Sequence, residues 1–112
     1  MEYCGSGDLS AKVERYKKRR QLIEETVIWR YVIQSLKALE YLHAKGICHR
    51  DLKGANAFIA EDGSIKIGDM NVSKKFGKGG GNLKTQIGTP YYMSPEIWQN
   101  KIYDSSCDIW SL

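Results

Sequence analysis

The chain contains little cysteine and histidine and has no long apolar run, and each shortage excludes a kind of protein. Its three cysteines, Cys4, Cys48 and Cys107, are odd in number and far apart, so they imply no disulfide framework and fit a reducing compartment. They share no metal-ligand spacing with the two histidines, so we expect no zinc site. No segment has the pattern of a signal peptide or is apolar for long enough to span a bilayer. We therefore expect a cytoplasmic protein with no membrane partner.

Acidic residues are absent between Asp69 and Glu96, although this segment carries four lysines: Lys74, Lys75, Lys78 and Lys84. Within it, residues 77–82 (GKGGGN) are flexible by composition. This stretch fits neither the Walker pattern nor a G-x-G-x-x-G loop, and no apolar strand leads into it. We therefore predict a mobile loop here and not a phosphate-binding loop.

Basic residues concentrate between Lys12 and Arg20, where KKRR occupies positions 17–20. Such a run is compatible with a nuclear signal or a nucleic-acid patch, but more often it is the solvated face and end of a helix. We favour the helix and expect no nucleic-acid partner. The net charge of +4 and the isoelectric point near 9.0 suit an acidic partner without identifying it.

Residues 23–45 predict one long scaffolding helix. Apolar side chains recur there at steps of three and four residues, which places them on one face: Ile28, Tyr31, Val32, Leu36, Leu39 and Leu42. Gly46 follows as a helix stop. We expect His43, at the end of this helix, to be solvated, and we expect His49 to have a structural role.

A β-hairpin is predicted directly after Asn56. The apolar run 57–60 (AFIA) and the alternating run 65–68 (IKIG) flank EDGS, a turn in which Gly63 supplies the residue of positive φ. The hairpin carries Asp69 back towards Asn56. An Asp and an Asn brought together in this way offer oxygen ligands for Mg²⁺, with phosphates completing the coordination shell.

Residues 49–56 (HRDLKGAN) place an acid, a cation and an amide at the spacing that phosphoryl transfer needs. The stretch resembles the catalytic loop of protein kinases, H-R-D-x-x-x-x-N. The resemblance implies that Asp51 accepts the proton of an attacking hydroxyl and that Lys53 offsets transition-state charge. It also implies that Asn56 and Asp69 hold Mg²⁺ beside ATP.

Two segments after the hairpin extend the resemblance. DMN at 69–71 stands where kinases have D-F-G. Met70 can fill the place of the Phe, and Asn71 tolerates the left-handed backbone of the Gly. GTPYYMSPE at 88–96 resembles the segment that binds the substrate peptide.

Ser94 and Pro95 within that segment predict a helix start, with the hydroxyl as the cap. Thr89 and Lys53 are both typical of serine/threonine kinases, and the resemblance gives Thr89 a part in positioning Asp51. Thr85 lies where an activating phosphate is common, and such a phosphate can order the loop by pairing with Arg50.

The two ends of the chain also match the kinase pattern. Residues 1–9 (MEYCGSGDL) resemble the hinge between the kinase lobes. This resemblance implies that the backbone of Glu2 and Cys4 meets the adenine edge and that Phe58 forms the floor of the adenine pocket. Residues 105–112 (SSCDIWSL) resemble the start of the central buried helix of the large lobe. There Asp108 is expected to bind the backbone of the catalytic loop.

Together these motifs predict an α+β chain that is one partial kinase domain over residues 1–112. It comprises the hinge and the helical C-lobe with the catalytic-loop hairpin, and the N-lobe is absent. The combination of MEYCGSGDL at 1–9, IGDMNVSK at 67–74 and GTPYYMSPE at 88–96 looks most like the NIMA-related group of serine/threonine kinases. The implied activity is transfer of the ATP γ-phosphate to a Ser or Thr of a protein substrate. The implied locations include the cytoskeleton, centrosome or cilium.

Two alternatives from another class stay open. One is a kinase-fold binding protein that has lost catalysis, and the other is a truncated product that regulates a full-length kinase. A kinase domain also needs elements that should precede Met1: the Gly-rich nucleotide loop, the strand lysine and its helix glutamate. None of them is among the 112 residues. We therefore expect the 112 residues alone to be unstable and inactive.

Overall fold

The computed structural model describes residues 5–76, 83 and 85–112. Its described elements are short apart from two helices. In chain order they are α1 (Leu9–Lys18), α2 (Glu25–Ala44), β1 (Ile47–Cys48), a 3₁₀ turn (Gly54–Asn56), β2 (Ala57–Ile59), β3 (Ile65–Ile67), β4 (Lys74–Lys75), a second 3₁₀ turn (Pro90–Tyr92), α3 (Pro95–Trp98) and α4 (Ser106–Ser111). The chain divides into two compact units. The first comprises the residues up to Ala38 with Gly54–Gly68, and the second comprises Leu39–Lys53 with Asp69–Leu112.

The first unit begins with the basic helix α1. Asp8 is its N-cap, since the Asp8 Oδ1 accepts a hydrogen bond from the backbone N–H of Ala11 at 2.8 Å. The last turn carries three cations, Arg15, Lys17 and Lys18. Their positive charges interact favourably with the negative end of the helix dipole. No residue of α1 is fully buried. The prediction that the basic run is the solvated face of a helix is therefore confirmed.

The predicted hairpin is present in the first unit. Strands β2 and β3 pair antiparallel with Phe58 opposite Lys66, and Gly63 has φ of +77° in the turn, as predicted. The buried core of this unit joins the hairpin to α2 through Tyr31, Ala57, Ile59 and Ile65. The side chain of Gln34 secures the edge of the hairpin, because its Oε1 accepts the N–H of Ile65 at 2.6 Å.

Helix α2 ends within one residue of the predicted boundary, just before Lys45 and Gly46. Its apolar face is only partly covered. Tyr31 and Leu39 are buried, whereas Ile28 and Leu36 are 46% and 41% exposed. The predicted apolar face is therefore buried only in part. No helix in the described part of the chain is both long and apolar enough to cross a membrane.

The second unit contains a ladder that the sequence analysis missed. Strand β4 pairs antiparallel with β1, so that Cys48 lies opposite Lys74. The first two lysines of the acid-free segment are thus fixed in a strand, and residues 77–82, predicted as a mobile loop, lie outside the described residues. The core of the unit is formed by Cys48, Leu83, Ile97, Tyr103 and Cys107.

Two helix predictions in the second unit need correction. Helix α3 starts at Pro95 as predicted, but Ser94 makes no capping hydrogen bond. The Ser94 side chain is fully buried, and its Oγ has no hydrogen-bond partner among the described residues. In α4 only Cys107 and Asp108 are buried. Ile109 and Trp110 are 50% and 62% exposed, so this helix buries one side and is not buried all round.

Candidate active site

The backbone of the HRD segment is fixed by one buried carboxylate. Asp108 is fully buried. Its Oδ2 accepts the backbone N–H of His49 at 2.9 Å, and its Oδ1 accepts that of Arg50 at 2.8 Å. Arg50 has φ of +68°, a left-handed conformation that is unfavourable for a non-glycine residue. The two hydrogen bonds stabilise the turn in this unfavourable conformation. The prediction that Asp108 binds the backbone of the catalytic loop is confirmed.

His43 was expected to be solvated, and this was wrong. Its Nε2 lies 2.8 Å from the Asp108 Oδ2, and its side chain is only 20% exposed. The contact joins residues 65 positions apart, so no local pattern could have indicated it. His49 is fully buried, and its Nδ1 accepts the backbone N–H of Asp51 at 3.3 Å. This bond is consistent with the predicted structural role of His49.

Asp51, Lys53 and Thr89 meet in a closed triangle of hydrogen bonds within the second unit. The Lys53 ammonium donates to the Asp51 Oδ2 at 2.8 Å and to the Thr89 Oγ1 at 2.7 Å. Thr89 in turn donates to the Asp51 Oδ1, from its hydroxyl at 2.7 Å and from its backbone N–H at 2.9 Å. Both Asp51 and Lys53 keep some exposure, 15% and 24%. The carboxylate is thus oriented and still open to solvent.

These contacts lower the pKa of the Asp51 carboxyl. Burial acts to raise the pKa of the carboxyl, but the hydrogen bond from Lys53, those from Thr89 and the Lys53 charge outweigh it. The net result is a pKa of Asp51 below its ordinary value. The carboxylate is therefore ionised at neutral pH and can accept a hydrogen bond from a hydroxyl.

The position of Thr89 depends on the glycine before it. Gly88 has φ of +126°, and a Cβ built there lies 2.8 Å from the backbone oxygen of Arg50. Any side chain at this position meets both backbone strain and a clash with the HRD segment. The Gly-Thr pair therefore lets two segments that are distant in sequence pack backbone to backbone.

Arg50 and Thr85, the predicted regulatory pair, are linked through a tyrosine. The Arg50 Nε donates to the Val72 carbonyl oxygen at 2.7 Å, and its Nη1 donates to the Tyr103 hydroxyl at 3.3 Å. The Tyr103 hydroxyl donates to the Thr85 carbonyl oxygen at 2.7 Å. Burial raises the pKa of Tyr103 despite the opposing effect of Arg50. The Tyr103 hydroxyl connects the two predicted residues by hydrogen bonds, but Tyr103 was not identified from the sequence.

The predicted Mg²⁺ ligands fall in different units and are described separately. Asn56 is buried in the first unit, where its backbone oxygen accepts the N–H of Gly68 at 2.9 Å. Asp69 is an exposed residue of the second unit and has φ of +59°. The left-handed residue of the DMN segment is thus Asp69, and Asn71, which was expected to tolerate this conformation, does not take it.

The predicted adenine-binding residues are described only in part. Phe58 lies in β2, is partly buried and bridges to Asp8. Glu2 and Cys4, the predicted hinge contacts, lie outside the described residues.

A cluster of possible metal ligands was not anticipated. Cys48 and Cys107 are in contact, with 3.5 Å between their Sγ atoms, and they lie next to Asp108. All three residues are buried. The spacing of cysteines along the chain gives no sign of this cluster, because the two thiols are 59 residues apart. Both Asp108 oxygens already accept backbone N–H groups.

A comparison with known families now identifies the class. The protein kinase domain family matches residues 1–112, and the chain belongs to this family. Its mixture of helices and small antiparallel sheets is consistent with part of a kinase fold.

The group within the kinases follows from individual relatives. The chain is 42% identical over 112 residues to mouse serine/threonine-protein kinase Nek4. This match covers 100% of the chain and 14% of Nek4. It is 41% identical over 113 residues to human Nek5, covering 100% of this chain and 16% of Nek5. Human Nek11 is 42% identical, over 99% of this chain and 17% of its own length. The predicted likeness to the NIMA-related kinases is confirmed, and the chain spans less than a quarter of each of these relatives.

Proposed function

We propose that the full-length protein transfers the γ-phosphate of ATP to serine or threonine hydroxyls of protein substrates. The observation that carries this proposal is the triangle formed by Asp51, Lys53 and Thr89. It holds an ionised acceptor and a cation within one hydrogen bond of each other, which is the arrangement that phosphoryl transfer to a hydroxyl requires. The relatives named above are serine/threonine kinases.

In this proposal Asp51 orients the substrate hydroxyl and takes its proton as the hydroxyl oxygen attacks the γ-phosphorus. The bond from phosphorus to the bridging oxygen of ADP breaks as the new bond forms, and Lys53 stabilises the negative charge on the transferred group. Thr89 fixes the position of the Asp51 and Lys53 side chains relative to each other, because it forms a hydrogen bond with each of them. Its hydroxyl is a positioning group here.

Asn56 and Asp69 are proposed to hold Mg²⁺. Their amide and carboxylate oxygens fit an ion that prefers hard oxygen ligands. When bound, Mg²⁺ neutralises charge on the ATP phosphates. The hinge backbone at Glu2 and Cys4, with Phe58, is proposed to bind adenine. This assignment rests on the sequence motif of residues 1–9.

Regulation by phosphate on Thr85 is part of the same proposal. Thr85 is exposed, and its carbonyl oxygen is one hydrogen bond from the Tyr103 hydroxyl that Arg50 contacts. A phosphate there adds about two negative charges within reach of this network. We also propose a cytoplasmic location, and the resemblance to the NIMA-related kinases suggests the cytoskeleton, centrosome or cilium within it.

The test is phosphate transfer by the full-length protein with Mg-ATP and a serine-containing protein such as casein. We expect Asp51→Asn to lower kcat by about a hundredfold or more, as is typical when a general base is removed. Asp62→Asn is the matched control, because Asp62 is an exposed carboxylate that accepts the N–H of Ser64 in the hairpin turn. Equal activity of the Asp51→Asn and Asp62→Asn proteins would contradict the proposed role.

One alternative keeps the fold and loses catalysis. The observation in its favour is the DMN segment, in which Met70 and Asn71 stand where kinases have Phe and Gly. Binding of Mg-ATP by the full-length protein, with no transfer to any substrate, would support this alternative.

A further inference from the structure

The basic run of α1 lines a cavity that phosphate transfer does not use. A cavity of about 420 Å³ lies in the first unit between α1, α2 and the end of the hairpin. Its lining includes four cationic side chains and two tyrosines: Lys12, Arg15, Arg19, Arg30, Tyr16 and Tyr31. We call this space the basic cavity. Glu61 is the one acid in its lining, so the formal charge around the cavity is four positive against one negative.

Two cations of the basic cavity contact a tyrosine, and none of the four forms an ion pair with any acid that the structure describes. Lys12 donates instead to the Tyr31 hydroxyl at 2.6 Å, and its ammonium lies 5.0 Å from the centre of the Tyr31 ring. Arg30 lies 5.7 Å from the same ring. The tyrosine therefore holds two cations in place without neutralising either, which leaves their charge available to an anion.

A second cavity adjoins the first and has a different character. It has a volume of about 590 Å³ and shares Lys12, Tyr16 and Arg30 with the basic cavity. The rest of its lining is three apolar side chains, Leu22, Ile23 and Val27, together with Gln21 and the acid Glu24. Leu22 is 94% exposed, an uncovered position for a large apolar side chain. We call this space the apolar cavity.

We propose that the two cavities bind a phosphorylated peptide segment, with the phosphate in the basic cavity and an adjacent apolar side chain in the apolar cavity. Arginine side chains are suited to the phosphate because their planar N–H groups bind its oxygens in pairs. The adjoining apolar lining favours a peptide over free phosphate or polyphosphate, which has no group to bury there.

The same geometry disfavours a nucleic-acid partner. A nucleic-acid backbone presents a row of phosphates and is bound by cations spread along a surface. Here four cations surround one cavity, and Lys18, an exposed cation of the same helix, is not part of its lining. The cavity belongs to the first unit and shares no lining residue with the triangle of Asp51, Lys53 and Thr89, so this inference does not depend on the proposed catalysis.

The experiment measures peptide binding to the full-length protein by fluorescence anisotropy. The probe is a fluorescein-labelled peptide with one phosphoserine between two leucines and glycine elsewhere. Three further probes separate the sources of binding: the same peptide with plain serine, the phosphopeptide with both leucines replaced by glycine, and a ten-nucleotide single-stranded DNA. The protein variants are Arg15→Ala, Arg30→Ala and Leu22→Ser, with Lys18→Ala as the charge-matched control on α1.

We expect the phosphopeptide to bind and each arginine variant to weaken it about tenfold, which is typical of one hydrogen-bonded contact to a charged group. Lys18→Ala should change the Kd by less than about twofold, because surface charges outside a site contribute little. Leu22→Ser should weaken only the peptide that carries leucines. Asp51→Asn should leave all of these values unchanged, even if it abolishes phosphate transfer.

Three results would overturn the inference. The first is no binding of the phosphopeptide up to about 1 mM, the weak end of measurable affinity. The second is equal binding of the plain serine peptide. The third is binding of the DNA that is stronger than that of the phosphopeptide and is weakened equally by Lys18→Ala and Arg15→Ala, since this would indicate a general anionic surface.

Discussion

Replacement of Asp108 by alanine should loosen the catalytic loop more than any change of an exposed acid in the same region. The substitution leaves the N–H groups of His49 and Arg50 buried without their acceptor. Each orphaned donor costs about 1–3 kcal/mol, so the pair together costs about 2–6 kcal/mol. Arg50 loses the bond that holds its left-handed backbone, which adds a tendency for the turn to relax.

The assay is amide hydrogen exchange of the full-length protein followed by mass spectrometry of peptides that cover the loop. A loss of about 1–3 kcal/mol at one amide corresponds to exchange about 5 to 150 times faster. Asp108→Asn keeps one oxygen acceptor and should give an intermediate result.

The control is Asp104→Ala. Asp104 is exposed, and its carboxylate accepts hydrogen bonds from Ser106, the one from the backbone N–H at 2.8 Å, so its removal should leave the amides of residues 49 and 50 unchanged. The reasoning is refuted if Asp108→Ala and Asp104→Ala alter exchange at these two amides to the same extent.

Three further predictions concern neighbouring positions. Thr89→Val should lower kcat/KM by about 10- to 150-fold, since it removes a hydroxyl bonded to two charged groups, whereas Thr89→Ser should retain most activity in the same transfer assay. Ser94→Ala should raise Tm by about 2–4 °C by thermal denaturation, because it deletes a buried hydroxyl without a partner; a fall would show that the hydroxyl caps α3 after all. The charge on Asp51 should stabilise the fold fully above the ordinary carboxyl pKa of about 3.9, and this stabilisation is lost as the pH falls through the lowered pKa. Lys53→Met should move that loss to higher pH in an NMR titration of the Asp51 carboxyl carbon, and an unmoved titration would contradict it.

Local patterns predicted the local structure well. The hairpin follows from two apolar runs around a turn with glycine, and the turn of Gly63 has the positive φ that this requires. The end of α2 follows from its apolar period and Gly46. Asp51, Lys53 and Thr89 were assigned from motif spacing, and the structure brings the three side chains together.

Contacts between distant residues could not be predicted in this way. His43 binds Asp108 across 65 residues, and Tyr103 binds the carbonyl of Thr85 from an element with no distinctive motif. Ser94 has the sequence of a cap, but its side chain is buried and makes no capping hydrogen bond. These outcomes depend on how elements pack, and one sequence carries no direct record of packing.

The same limit applies to the basic run of α1. Sequence alone indicates a solvated helix face, and α1 is such a face. The cavity arises only because α2 and the end of the hairpin place Arg30, Tyr31 and Glu61 opposite the cations of α1. Neither the charge of the run nor its length predicts this concave arrangement.

The contact between Cys48 and Cys107 has a practical consequence for chemical labelling. The hydrogen bond with Cys107, and then burial, raise the pKa of the Cys48 thiol far above its ordinary value. A protonated, buried thiol does not react with maleimides or acrylamides. Alkylation of Cys48 therefore requires β1 and α4 to separate first. The alkylation rate at constant pH therefore reports how often the structure beneath the catalytic loop opens. Cys48 offers no attachment point for a covalent inhibitor of the closed form.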